Sequence, residues 1–157
     1  MGEPTARIDN ERAPFLTVMN VRLFLIAPDN IYSQALESFL LGVGNATGHQ
    51  IELAGSASDT ETAQEQIEET FPDLVLSDLG RPKGAIDGLA VARWAREQRD
   101  LRSINSPQVI LCSLFEEDVF HDASYAAGAA AFIAKNSLSR ELPQLLAHLF
   151  PLQPGVS

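Results

Sequence analysis

The sequence predicts an α/β protein built on a doubly wound, five-stranded parallel sheet with five flanking helices. Three observations predict it. Short apolar runs alternate strictly with longer segments whose apolar residues recur at helical spacing. The short runs are almost continuously apolar rather than alternating, so both faces of the sheet must be covered. Five such pairs fit in 157 residues. Strands and helices in alternation imply parallel strands joined by right-handed crossovers, and the length suits one domain with a real core.

Taken in order, residues 1–20 are mixed and polar at first. They form an N-terminal extension, its ordered part falling near Phe15 to Met19. "VRLFLIA", from Val21, is the first strand. "IYSQALESFLLGV" places Ile31, Ala35, Leu36, Phe39, Leu40 and Val43 on one helical face. "QIELAGSA" is the second strand. "SDTETAQEQIEET" is a helix with a solvated acidic face, opened by a capping box of Ser58 and Glu61. "DLVLSD" is the third strand, and "DGLAVARWAREQR" a helix with Leu89, Val91, Ala92 and Ala95 inward and Trp94 off that side. "PQVILCS" is the fourth strand, with Cys112 a small core residue. "EEDVFHDASYAAG" is a helix stopped at Gly128. "AAFIAK" is the fifth strand. "SRELPQLLAHLF" is the last helix, with Pro143 near its first turn or kinking it. The domain spans residues 21–150, and residues 151–157 are a tail.

Composition bounds the function. The formal net charge is −10, which disfavours nucleic acid and anionic membrane surfaces as partners. The single cysteine excludes a disulfide within the chain and fits a reducing, cytoplasmic setting. The N-terminus lacks the basic-then-apolar pattern of a signal peptide, and no apolar run approaches the roughly 20 residues that span a bilayer. His49, His121 and His148 are scattered and suggest no metal site.

In a doubly wound sheet the site lies at the carboxyl ends of the strands. There the sequence sets Asp29 in "APDN", Asp78 in "LSDLG", Ser113 and Lys135. The chain has only two lysines, Lys83 and Lys135, so one at a strand end is informative. A carboxylate, a hydroxyl and a fixed cation together are what a phosphorylated aspartate requires.

Over about residues 21–150 these segments resemble the receiver domain of bacterial two-component response regulators. "PDLVLSDL" resembles the acceptor strand, "VILCSL" the strand ending in Ser/Thr, and "AAGAAAFIAK" the segment leading to the invariant lysine. The resemblance implies a flavodoxin-like sheet in the order 2-1-3-4-5. It implies Asp78 as phosphoacceptor, Ser113 as hydrogen-bond donor to the phosphoryl group, Lys135 as counter-charge and Phe132 as the aromatic switch residue. It also implies Mg²⁺ held by Asp78 and the Gly80 carbonyl, with Asp29 the remaining acidic candidate.

The sequence departs from the family pattern in several places. Ala27 and Pro28 stand where receivers carry two adjacent acidic metal ligands, and Asp29 is one position late. The loop "LGRPKGAIDG" carries two extra residues before Asp87 and Gly88, Leu114 crowds the place of a small residue after Ser113, and Asn136 replaces a common proline. Mg²⁺ demands near-octahedral oxygen ligands, so the expectation is weak or absent Mg²⁺ and slow or absent phosphorylation by a small phosphodonor.

Three function classes follow: a phosphorylatable receiver, a phosphorylation-independent pseudo-receiver acting as an interaction module, and an enzyme on a similar sheet. The third is weakest. Gly80 stands where a haloacid-dehalogenase-like phosphatase wants a second aspartate, "APDN" is no flavin-phosphate loop, and no G-x-x-x-x-G-K-[ST] occurs. The implied partners are a histidine kinase or phosphotransfer protein and a downstream protein bound through the fourth helix, fifth strand and fifth helix. Glu116 and Glu117 are the charges to probe there, and a homodimer is compatible with the same surface. The chain ends soon after the fifth helix, which reads as a stand-alone receiver.

Overall fold

The computed structural model describes residues 19–81, 83–102, 106–114 and 118–152. The expected N-terminal extension lies almost wholly outside them, as do Glu116 and Glu117. The elements are β1 (Met19–Ile26), α1 (Asn30–Thr47), β2 (His49–Ala57), α2 (Thr60–Thr70), β3 (Leu74–Asp78), α3 (Gly88–Arg102), β4 (Gln108–Ser113), α4 (Asp118–Ala126), β5 (Ala131–Ala134) and α5 (Leu138–Leu149). The strands form one parallel sheet in the order β2-β1-β3-β4-β5, the order and flavodoxin-like class expected from the sequence.

The continuous apolar strands feed two cores, one on each face. Val21, Leu23 and Leu25 of β1 join Leu74 and Leu76 of β3, Ile110 and Cys112 of β4, and Ala131 and Ile133 of β5. The alternate residues Phe24, Ile26, Val75, Val109, Leu111 and Phe132 build the opposite core. This is the two-residue period of a strand with both faces covered. Leu36, Leu40 and Val43 of α1 and Leu138, Leu142 and Leu146 of α5 close the first core. Ala63 and Ile67 of α2 and Val91, Ala92 and Ala95 of α3 close the second. Trp94 is half-buried at the edge of that second core, which also holds Ile86 of the long loop.

Two local expectations change. The cap of α2 is Asp59, not Ser58: the Asp59 carboxylate accepts from Thr62 N at 2.7 Å. An aspartate accepts two backbone donors at a helix start as readily as a serine, and the chain turns into the helix one residue later than the Ser58–Glu61 pattern suggests. In α5, Pro143 is the sixth residue, inside the helix rather than in its first turn. The carbonyl deprived of its donor belongs to exposed Ser139, where water can replace the missing hydrogen bond.

Candidate functional site

The carboxyl edge of the sheet brings three of the expected residues to adjacent strand ends. Asp78 is the last residue of β3, Ser113 the last of β4, and Lys135 the first after β5. Since β4 lies between β3 and β5, the Lys135 side chain crosses the end of β4 to reach Asp78. Its Nζ stands 2.5 Å from Asp78 Oδ1, and both side chains are largely shielded, at 17% and 18% exposure. The other carboxylate oxygen, Oδ2, accepts from Gly80 N at 2.9 Å. Ser113 is buried and hydrogen-bonded or otherwise engaged. Phe132 is also buried, in the second core, with its ring edge toward His121 at 6.0 Å between centroids.

The turn after Asp78 depends on glycine. Gly80 has φ +86°, a left-handed conformation. A Cβ there would stand 1.9 Å from the Ile86 carbonyl oxygen. That closeness reflects an isolated antiparallel bridge between Gly80 and Asp87 that pinches the long loop shut. The loop is fastened further. Gly84 N donates to Arg81 O at 2.9 Å, Thr60 N to Ala85 O at 3.0 Å, and Gly88 N to Leu79 O at 2.9 Å. Asp87 N donates to Thr60 Oγ1 at 2.8 Å, and the Asp87 carboxylate caps α3 by accepting from Ala90 N at 3.1 Å. The two extra residues are thus taken up in a closed loop beside α2.

Above Asp78 opens a cleft of about 270 Å³ whose lining includes Pro28, Ser58, Gly80, Arg81 and Ile86. Ala27 is buried and donates its N–H to Ala57 O at 3.1 Å. Asp29 caps α1: its carboxylate accepts from Tyr32 N at 2.7 Å. Among the described residues no group of three or more His, Cys, Asp or Glu side chains is placed to hold a metal. Leu114 is 73% exposed and turns to solvent.

Four neighbours were given no place at the site by the sequence. Tyr32 lies under Lys135, with Nζ 4.5 Å from its ring centroid. Burial pushes its phenol far above the ordinary value, and the charges of Cys112 and Asp78 add to the effect. The Cys112 thiol, beneath Asp78 in the β3–β4 register, is pushed up to about 12, chiefly by burial and then by Asp78. Arg81 and Ser58 wall the cleft. Only Tyr32 left a usable signal: it is an aromatic residue one helical turn before Ala35 and Leu36, pointing along the same face.

Comparison with known proteins agrees with this architecture. The family model described as the response regulator receiver domain matches residues 33–147. "Response regulator GacA" of Pseudomonas syringae is 30% identical over 107 residues, covering 68% of this chain and 47% of that protein. "Protein-glutamate methylesterase/protein-glutamine glutaminase 1" of Chromobacterium violaceum is 27% identical over 124 residues, 78% of this chain and 31% of that protein. The chain therefore spans about half or less of the length of these curated relatives. Among solved structures, the signal receiver domain of the response regulator NarL from Mycobacterium tuberculosis superposes with a TM-score of 0.67 at 24% identity, covering 83% of this chain and 95% of that one. With the family model matching well over half of its length, and a parallel sheet that sets Asp78 against Lys135, the chain belongs to the response regulator receiver domains of two-component signalling.

Proposed function

We propose that this receiver takes a phosphoryl group on Asp78 from the phosphohistidine of a histidine kinase or phosphotransfer protein, and passes the signal on by protein contact. The observation that carries this reading is the Lys135–Asp78 pair at 2.5 Å across the end of β4. It places a fixed cation where charge must be balanced when the carboxylate is esterified. Ser113, ending the strand between them, is the hydroxyl assigned to a phosphoryl oxygen, and Phe132 the residue whose packing reports the change.

Receiver domains generally use Mg²⁺ in phosphorylation. The donor set of this chain does not fit that ion. Ala27 and Pro28 offer no side-chain oxygen, Asp29 is engaged with Tyr32 N, and Asp78 already serves Lys135 and Gly80. One such carboxylate and a carbonyl fall short of the oxygen cage Mg²⁺ demands. Mg²⁺ binding is therefore weak, and no step is assigned to it.

The output surface is proposed on α4, β5 and α5. Val119 and Tyr125 of α4 are exposed at 63% and 46%, and Leu114, just before α4, at 73%, apolar side chains that a protein partner could cover. The same face would serve a pseudo-receiver. The two readings separate by intact-mass measurement of wild type and Asp78→Asn with acetyl phosphate and with a phosphorylated histidine donor. Addition of one phosphoryl group to wild type alone is expected, slowly with the small donor. No modification from either donor would leave the pseudo-receiver reading in place.

A further inference from the structure

The cleft above Asp78 has exchanged its expected anions for a cation. Where receivers present two carboxylates, this chain has Pro28 in the cleft wall and Ala27 buried before it. On the opposite rim stands Arg81, lining the same cleft as Pro28 and Asp78. Arg81 is exposed and forms no side-chain ion pair or hydrogen bond with another described residue. Its backbone is nonetheless fixed. It follows Gly80, which is pinned by the bridge to Asp87, and its carbonyl accepts from Gly84 N at 2.9 Å.

Charge balance gives this arrangement a meaning. A dication held by two carboxylates adds no net charge to a site. An arginine lining the same cleft as uncharged Pro28 adds one positive charge, and the carboxylate in that lining, Asp78, is already paired with Lys135. A guanidinium also presents a planar fork of donors that matches phosphoryl oxygens in pairs. Since Asp78 Oδ1 already holds Lys135, a phosphoryl group entering the cleft would meet cations on two sides.

We propose that the Asp78 cleft is a metal-independent phosphoryl-anion site, in which Arg81 supplies with Lys135 the positive charge that a divalent cation gives elsewhere. The inference rests on the reading of Asp78 as acceptor. An Asp78 carboxylate oxygen attacks the phosphorus of a phosphohistidine, and a new P–O bond forms as the P–N bond breaks. The bonding pair leaves on the imidazole nitrogen, which is neutralised by a proton from solvent. Charge on the three peripheral oxygens is met by Arg81 and Lys135.

The test is the rate of acetyl-phosphate modification, read by intact mass, in EDTA and in Mg²⁺, for wild type, Arg81→Gln, Arg81→Lys and Asp78→Asn. Circular dichroism checks the folds, which exposed Arg81 should leave unchanged. Wild type is expected to react at equal rates, within about twofold, in the two buffers. Arg81→Gln should fall about tenfold or more, as losing one charge-assisted hydrogen bond implies, and Arg81→Lys should recover part of the loss. A wild type that reacts only with Mg²⁺, or an Arg81→Gln variant that reacts as wild type, overturns the proposal and leaves the acceptor reading intact. If neither buffer gives modification, whether by acetyl phosphate or by a phosphorylated histidine donor, the acceptor reading falls. Titration with inorganic phosphate in EDTA then decides the cleft: shifts of the Gly80 and Ile86 amide resonances that vanish in Arg81→Gln support it, and a wild type without shifts overturns it.

Discussion

Lys135 Nζ stands 4.5 Å from the centroid of the Tyr32 ring. The same ammonium meets Asp78 Oδ1, so an aromatic face and a carboxylate hold it from two sides. The Tyr32 hydroxyl is itself buried without a hydrogen-bond partner among the described residues. The ring and the hydroxyl should therefore have opposite effects. Tyr32→Phe keeps the ring and removes a polar group whose unpaired burial costs about 1–3 kcal/mol, so its Tm should equal or exceed that of wild type. Tyr32→Ala removes a cation–π contact of about 0.5–2 kcal/mol and leaves a void, so both Tm and the rate of Asp78 modification should fall. Thermal denaturation and intact-mass kinetics on both variants check this. A Phe variant as impaired as the Ala variant would refute the role given to the ring.

Gly80 should tolerate no side chain. Its φ of +86° costs an L-residue about 1–2 kcal/mol, and a Cβ would meet the Ile86 carbonyl at 1.9 Å. Gly80→Ala is expected to open the Gly80–Asp87 bridge and release Asp78 Oδ2. Hydrogen exchange should then quicken at Gly88, whose N–H bonds to Leu79 O, while the amides of α5 keep their protection. Unchanged exchange at Gly88 would count against the pinched loop.

Cys112 gives the protein an alkaline limit. Its thiol titrates near 9.0 when exposed and is pushed up to about 12 in the fold. A group raised on folding contributes stability that is complete below its unfolded value and is lost as pH rises through the folded one. Stability should thus decline from about pH 9 towards 12, and Cys112→Ala should flatten that decline. Denaturant titrations across this range measure it. In the native state at neutral pH the thiol should resist iodoacetamide, because it is both buried and protonated.

Leu142 tests the first core. It is fully buried between β-sheet and α1, one turn from Leu138 and one from Leu146. Leu142→Ala should cost about 2–5 kcal/mol, lowering Tm by roughly 2–4 °C for each kcal/mol in a chain of this size. Chemical denaturation with an unchanged slope would show that the loss is one of stability alone.

The strands were legible because both faces are buried: "LFLI" and "VILC" are apolar without a break, and the structure divides each between two cores. Asp78 and Lys135 were legible because strand ends are where an α/β sheet exposes side chains. Their mutual distance was not, since it depends on a lysine reaching across β4. Ser58 misled as a cap because Asp59 beside it caps equally well, and only the geometry of the turn selects one. Tyr32 and Arg81 were missed for different reasons. Tyr32 was hidden because its value lies in a contact 103 positions away in sequence, with Lys135. Arg81 carries no motif of its own in the sequence, and only the closure of the loop sets it in the lining of the cleft beside Asp78.

Thr60 has a further consequence. Its N–H receives Ala85 O as partner and its hydroxyl accepts from Asp87 N, so a single residue at the start of α2 stitches the loop that also begins α3. The two helices are therefore not separate levers. A load that tilted α2 would pass through one threonine to the Gly80–Asp87 bridge, and from there to the peptide whose N–H bonds the Asp78 carboxylate. In mechanical terms Asp78 sits beside the fulcrum, and a pull on the outer end of α2 would reach its carboxylate through the Gly80 N–H.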